Sequence, residues 1–267
     1  AGETLRGRSP LYAINGIPQS TPLRDGSRDG FTIDPFFVDR VEVIFGSNAL
    51  QGIGGTGGIV NQVTVGAPKA EGFSGRVLAQ TLADNGFHGD GSGYKGAALG
   101  SWRAGAFDAT GGFAYEKRGA YYDGKGRRVG FDAAQGETQD SDSWSLFGRF
   151  GYAVSETARL DVILSRFQLE GDGDYVNFAG NRTTGVPSTA IRGVQSGTPA
   201  RGRTESAQVS YTDAALWEGN LVTQVFWNRT KDLFGGDSSA TFQDIRIAPL
   251  GTLLDQSENR SRKLGAK

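Results

Sequence analysis

Residues 39–64 read DRVEVIFGSNALQGIGGTGGIVNQVT. A β-branched run, Val41-Glu42-Val43-Ile44-Phe45, ends at Gly46-Ser47-Asn48, and a small polar turn follows, Asn48-Ala49-Leu50-Gln51. Five glycines then fall between Gly52 and Gly58, ahead of a second run, Ile59-Val60-Asn61-Gln62-Val63-Thr64-Val65. Val, Ile and Thr suit a pleated, half-buried backbone, and clustered glycine supplies turns and close backbone approach. The stretch predicts strand, tight turn, glycine loop, strand.

Three other readings fail on physical grounds. Gly52-x-Gly54-x-x-Gly57 has the spacing of a dinucleotide fingerprint, which needs a strand directly before the glycines and a helix directly after. Here the strand ends well upstream and a β-branched run follows. A phosphate loop requires Lys-Ser/Thr after the glycines, and neither is present. Residues 43–68 carry no charge, but glycines, Asn48, Gln51, Asn61 and Gln62 break the run, so it is no transmembrane helix.

The same residues resemble the end of the plug domain of TonB-dependent outer-membrane receptors. Asp39-Arg40-Val41-Glu42-Val43, Leu50-x-Gly52, Gly57-Gly58-Ile59-x-Asn61 and Thr64 match that family's pattern. So do Leu5-Arg6-Gly7-Arg8 and Asn15-Gly16-Ile17-Pro18-Gln19 upstream. Phe45, Ser47, Gln51 and Val65 depart from it, standing where a basic residue, Pro, Tyr and a basic residue are usual. The matched motifs span residues 5–65; beyond them only the pattern of strands agrees.

Composition narrows the function classes. The net charge of −1 gives no electrostatic attraction for nucleic acid. There is no cysteine, hence no disulfide framework or thiolate site, and the single histidine, His88, argues against a histidine zinc site or a His-dependent triad. Glycine, 42 of 267 residues, is at roughly twice its usual share. With many aromatics, Ser and Thr, this suits an all-β chain rich in turns. No secretory leader precedes Ala1, so the chain reads as an internal piece of an exported protein.

Residues 1–38 predict loops around one strand, Leu11–Ile14, turning at Asn15-Gly16. Residues 66–72 read as a linker. After it come segments of about ten residues with alternating polarity, the length a tilted strand needs to cross a bilayer. Strands are expected near 73–83, 94–103, 106–116, 142–153, 158–169, 203–213, 219–230 and 255–267. In the third, Phe107, Ala109, Gly111, Phe113 and Tyr115 share one face, and Asp108, Thr110, Gly112, Ala114 and Glu116 the other. In the fourth, Trp144, Leu146, Gly148, Phe150 and Tyr152 lie opposite Ser143, Ser145 and Arg149. The connections alternate: 84–93, 117–141, 170–202 and 231–254 are long, and 104–105, 154–157 and 214–218 are short. Outer-membrane barrels have this parity, with short periplasmic turns and long extracellular loops. A closed barrel of eight strands is filled by its own side chains. If 1–70 is a plug, the eight strands belong to a larger barrel, of which 22 strands is the plugged example.

The expected architecture is therefore mostly β. A plug domain with a small sheet spans 1–70, and the N-terminal part of an antiparallel transmembrane β-barrel spans 71–267. No catalytic constellation is found, and no cofactor or metal is expected. Glu170-Gly-Asp172-Gly-Asp174 and Asp25-Gly-Ser-Arg-Asp29-Gly resemble parts of a calcium loop but lack its further ligands, and read as turns. Arg40 and Glu42, two apart on a strand, share a face; the resemblance implies that they meet charges on the barrel wall. Residues 117–128 are basic and carry Tyr121 and Tyr122. Together with Arg127 and Arg128 these suit an anionic, aromatic ligand. Arg24 and Arg28 in the plug loop are the other candidates.

The resemblance implies TonB-dependent active uptake across a bacterial outer membrane. The implied partners are the TonB energy-coupling complex, engaged through a segment upstream of Ala1, a ferric siderophore or similar nutrient complex, and outer-membrane lipid. Cobalamin and oligosaccharide are alternative cargoes. A passive porin would leave the 39–64 motif unexplained, and a surface adhesin the loop-length parity.

Overall fold

The computed structural model describes residues 4–19, 30–46, 56–131, 139–195, 197–238, 246, 249 and 254–267. Two sheets carry the architecture. The smaller has four strands in the order β2-β1-β4-β3: β1 Leu11–Ile14, β2 Ile17–Pro18, β3 Val38–Phe45 and β4 Gly58–Thr64. β1 and β2 form a hairpin across Asn15-Gly16, both with positive φ (49° and 77°), as an Asn-Gly two-residue loop requires. β1 pairs in parallel with β4, and β3 pairs antiparallel with β4. The two β-branched runs of 39–64 are thus neighbouring strands. The polar turn 48–51 and most of the glycine loop lie outside the described residues. Gly58 opens the second run at φ 126°, and a side chain there would strike the Ile44 carbonyl.

The larger sheet is an antiparallel run of eight strands, each hydrogen-bonded to its sequence neighbour in the sheet. They are β5 Gly72–Leu82, β6 Gly93–Ala104, β7 Phe107–Arg118, β8 Ser141–Ala153, β9 Ala158–Gly171, β12 Arg201–Leu216, β13 Gly219–Ser238 and β14 Leu254–Ala266. All eight expected strands are present. β13 runs on through 231–238, which sequence reading placed in a loop; its Lys231 and Asp232 pair across to Arg260 and Asn259. Within the connection 172–200, a small hairpin forms from β10 Tyr175–Phe178 and β11 Thr189–Arg192. Among the described residues the helices are two 3-10 turns, Pro35–Phe37 and Gly89–Gly91. None is long and apolar enough to cross a membrane, which leaves open a crossing by strands.

Burial in the large sheet runs opposite to that of a soluble protein. On β7, Asp108, Thr110, Ala114 and Glu116 are buried, while Phe107 and Phe113 are 59% and 48% exposed. On β8, Ser141, Ser143, Ser145 and Phe147 are buried, while Leu146 and Phe150 are 47% and 54% exposed. The polar face is the inner one, and the small sheet packs against it. Ile14, Ile33 and Phe37 join Ala97, Ala114 and Phe147 in one core. The outer face is an apolar band, the arrangement of a wall solvated by lipid. The mixed polarity of β9 has the same origin: Asp161 faces inward and meets Arg149 at 2.9 Å and Arg159 at 3.0 Å, and Arg159 also reaches Asp108 at 2.7 Å.

Candidate functional site

The interface between the two sheets is densely bonded. Asp34 accepts from the Phe36 amide at 2.8 Å, capping the turn 35–37 and aiming Phe36 and Phe37 at the wall. The Phe37 ring stacks on Phe147, centroids 5.4 Å apart, and is fully buried. An ideal Cβ on Gly112 would stand 2.6 Å from the Phe37 ring, so the glycine is what lets that ring seat. The same Asp34 carboxylate takes both of its oxygens to Lys95 Nζ, at 2.8 and 2.7 Å, and Lys95 reaches Glu116 at 3.3 Å. Their side chains are at most 10% exposed. Lys95 and Glu116 are directly opposite on β6 and β7, so the wall presents a prepaired charge and Asp34 completes it.

Backbone carbonyls of the small sheet and its linker are held from the wall as well. Gln224 donates to Asn15 O at 3.2 Å, Lys263 to Pro18 O at 3.1 Å and Arg103 to Pro68 O at 3.2 Å. Asn228, fully buried, donates to Gln19 Oε1 at 2.9 Å. None of Asp34, Lys95 or Asn228 was singled out from the sequence, and Gln19 entered only as the last residue of the 15–19 segment. The signal that could have found them is a charge or amide at an inward-facing strand position, which needs the register to be known.

Arg40 and Glu42 stand on β3, the edge of the small sheet, and meet one another. Arg40 Nη2 lies 2.8 Å from Glu42 and Nη1 lies 3.3 Å from Asp39; Asn61 Nδ2 donates to Glu42 at 3.0 Å. The Asn61 hydrogen bond, then that from Arg40, holds the Glu42 carboxyl below its ordinary value. The arginine and glutamate side chains are 58% and 41% exposed, and no residue of the eight strands is among these partners. Arg24 and Arg28 lie outside the described residues.

At the long-connection ends of the strands, the residues expected to face a ligand divide. Asp90, in the 83–92 connection, is a hub. It accepts from Tyr122 OH at 2.6 Å and Tyr175 OH at 2.7 Å, and pairs with Arg128. Burial opposes its charge, but these donors prevail and hold the carboxyl well below the usual range. Tyr122 also stacks on His88 at 4.2 Å. Tyr122 and Arg128 are therefore committed to tying three connections together. Arg127 pairs with Asp123 at 2.7 Å within its own turn. Tyr121 stays 46% exposed and, with Tyr122, Leu82, Asp84 and Arg118, lines a cavity of about 330 Å³.

Beside this hub, Asp140 is 8% exposed and faces the Asp174 carboxyl. Burial first, then Asp174 and Asp172, push Asp140 up to about 8, with Lys117 opposing them. A carboxyl raised on folding stabilises below its unfolded value, and that stability is lost as pH rises through about 8. Proteolytic cleavage in the 139–142 and 172–175 segments is therefore expected to accelerate as pH rises from about 6 to about 9. Asp140→Asn should flatten that dependence; an unchanged slope in the variant would refute the assignment.

Residues 3–59 match the family model described as TonB-dependent Receptor Plug Domain. The chain is 29% identical over 236 residues to the rhizobactin receptor of Rhizobium meliloti (strain 1021), covering 84% of this chain and 30% of that protein. It is 28% identical over 234 residues to the ferric aerobactin receptor of Klebsiella pneumoniae, covering 85% and 31%. The chain thus spans less than a third of either curated relative. Among solved structures, the copper transporter OprC superposes with a TM-score of 0.66 at 16% identity, over 97% of this chain and 35% of that one. The FrpB iron transporter from Neisseria meningitidis gives 0.64 at 18%, over 97% and 37%. At such identities these structures show the fold.

Proposed function

From the premise that this chain is a stretch of a TonB-dependent receptor, plug sheet first and barrel wall after, we propose that its parent protein takes up a ferric siderophore across a bacterial outer membrane. Residues 1–70 would form the plug and 71–267 the opening strands of the wall. The observation that carries the reading is a sheet of plug sequence bonded to the polar inner face of an arc whose outer face is apolar. Similarity to receptors named for rhizobactin and aerobactin favours an iron chelate as cargo over cobalamin or oligosaccharide.

In this reading the chelate settles at the outer mouth, against Tyr121 and the cavity beside it, with Arg24 and Arg28 kept as further candidate contacts. Tyr122, Arg127 and Arg128 hold that mouth in shape. The TonB complex, acting on the plug, must break the Asp34–Lys95 seat and slide Phe37 from Phe147 before cargo can pass. Arg40 and Glu42, exposed on the free edge of β3, would meet wall beyond the eight strands. The family is one of receptors rather than enzymes.

The reading is tested by measuring the full-length parent protein in outer membranes of iron-starved and iron-replete cells. Strong induction by starvation is the expected result. Unchanged abundance would move the cargo to cobalamin or a carbohydrate. Expression with no protein in the outer membrane would overturn the receptor reading itself.

A further inference from the structure

The mouth cavity and the plug seat share one chain of charges. Arg118 lines the cavity and ends β7, two residues beyond Glu116 and on the same face. Arg118 Nε lies 2.8 Å from Glu116 Oε1, while Glu116 Oε2 lies 3.3 Å from Lys95, whose Nζ holds the Asp34 carboxylate at 2.7 Å. Glu116 therefore divides its two oxygens between a cation of the cavity and the cation of the seat. The four side chains run unbroken from the cavity to the turn 35–37, and none is more than 17% exposed. Where water is scarce, a charge withdrawn from one member is felt strongly by the next.

The cavity end of this chain is open. Arg118 Nη1 is buried and has no hydrogen-bond partner among the described residues. A buried donor left unpaired carries a cost that an incoming acceptor relieves. Two other polar residues of the lining are already engaged. Asp84 accepts from the Gly86 amide at 2.8 Å and the His88 amide at 2.9 Å, and lies 2.7 Å from His88 Nδ1. Tyr122 OH donates to Asp90 at 2.6 Å and accepts from Arg128 at 3.1 Å. Leu82, Ala83, Ala120 and glycines make up most of the remaining lining. A free guanidinium N–H above an apolar floor suits a carboxylate, which takes arginine donors in charge-assisted bonds. At about 330 Å³ the cavity is at the small end of ligand sites, room for one arm of a chelate.

We propose that Arg118 takes a carboxylate of the arriving chelate, and that Glu116 and Lys95 on the wall pass its arrival to the plug. An anion on Arg118 competes with Glu116 for the guanidinium. Glu116, short of one partner, draws on Lys95, and Lys95 gives up part of its hold on Asp34. The seat that keeps Phe36 and Phe37 against the wall then loosens when the cavity is filled and stays tight when it is empty. The inference rests on the reading that the chelate enters at this mouth.

The test uses the full-length receptor purified in neutral detergent. Ferric citrate is the carboxylate-bearing probe, and the uncharged ferric complex of acetohydroxamate is its control. The readout is the rate of proteolysis within 30–46, which tracks how often that segment opens. Ferric citrate should speed cleavage of the parent by about tenfold, since a buried ion pair that loses a partner is strongly destabilised, and the control should not. Arg118→Gln should be cleaved at the faster rate with no probe and should not respond further. Glu116→Gln should keep the slow rate and bind ferric citrate without responding to it. Arg118→Gln/Glu116→Gln should return to the slow rate, which a misfolded Arg118→Gln receptor could not do. A parent indifferent to ferric citrate, an Arg118→Gln receptor cleaved at the parental rate, or a double variant cleaved as fast as Arg118→Gln would each overturn the proposal. Outer-membrane abundance of the parent is scored in parallel. Absence there faults the receptor reading, whereas presence with a seat indifferent to residue 118 faults this inference alone.

Discussion

Lys95→Ala is expected to destabilise the docked plug by about 3–5 kcal/mol, the cost of removing one partner from a buried ion pair. Lys95 is the cation between Asp34 and Glu116, and all three side chains are nearly out of solvent. Without it, two carboxylates face each other across the plug–wall seam, and Asp34 must also keep its hydrogen bond to the Phe36 amide. The full-length variant should show faster proteolysis of the 30–46 segment and raised single-channel leakage in planar bilayers. Replacing Lys95 and Asp34 together by Met and Asn should recover most of the loss, because Glu116 keeps its pair with Arg118 at 2.8 Å and neither removed charge leaves a partner unmatched. If Lys95→Ala leaves both plug protection and leakage at parental levels, the ion triad does not hold the plug.

Phe37→Ala should cost about 3–5 kcal/mol, as for other buried Phe truncations. The ring is entirely enclosed, stacked on Phe147 and edge-on to Phe36 at 5.6 Å. Its loss opens a hole bounded by the Gly112 backbone, which has no side chain to fill it. Phe37→Leu should lose markedly less. The Phe37→Ala/Phe147→Ala pair should fall short of additivity by about 0.5–1.5 kcal/mol, the worth of an aromatic pair beyond its area. Thermal unfolding of the receptor in detergent reads all of these. Additive losses would mean that the two rings stabilise their own sheets and not the seam.

The wall was legible in the sequence because two signals coincide along it. Side chains alternate with period two, as in Phe107 to Glu116, and connection length alternates with direction. Both follow from one physical fact, a sheet wet on one face and lipid-solvated on the other. The plug motif placed β3 and β4 for a different reason: the glycines at 57 and 58 are demanded by close backbone approach. Where reading failed, the interactions were non-local. The end of β13 looked like loop because Lys231 and Asp232 are polar, yet partners on β14 extend the ladder. The hairpin of β10 and β11 is too short to show alternation. Asp90 is one acid in a glycine-rich turn, and its importance comes from Tyr122, Arg128 and Tyr175, up to 85 positions away. The Asp34–Lys95 contact spans 61 positions, and nothing local to either residue announces the other.

The anchors that reach the first strands from the far end of the chain have a kinetic meaning. Gln19 is held by Asn228 at a separation of 209 residues, and Pro18 by Lys263 at a separation of 245. Loop closure over such spans must precede any gain from the contacts. The N-terminal sheet is made first, but its last fastenings wait for β13 and β14. Between those two moments it is kept from wandering or pairing with another chain by its contacts with β5–β8, chiefly the seat built on Asp34 and Phe37, with Arg76 on Phe36 O and Arg149 on Val65 O beside it. A slow step that strengthens with the arrival of the final strands, sensitive to Asn228 but not to Lys95, is what this order of assembly entails.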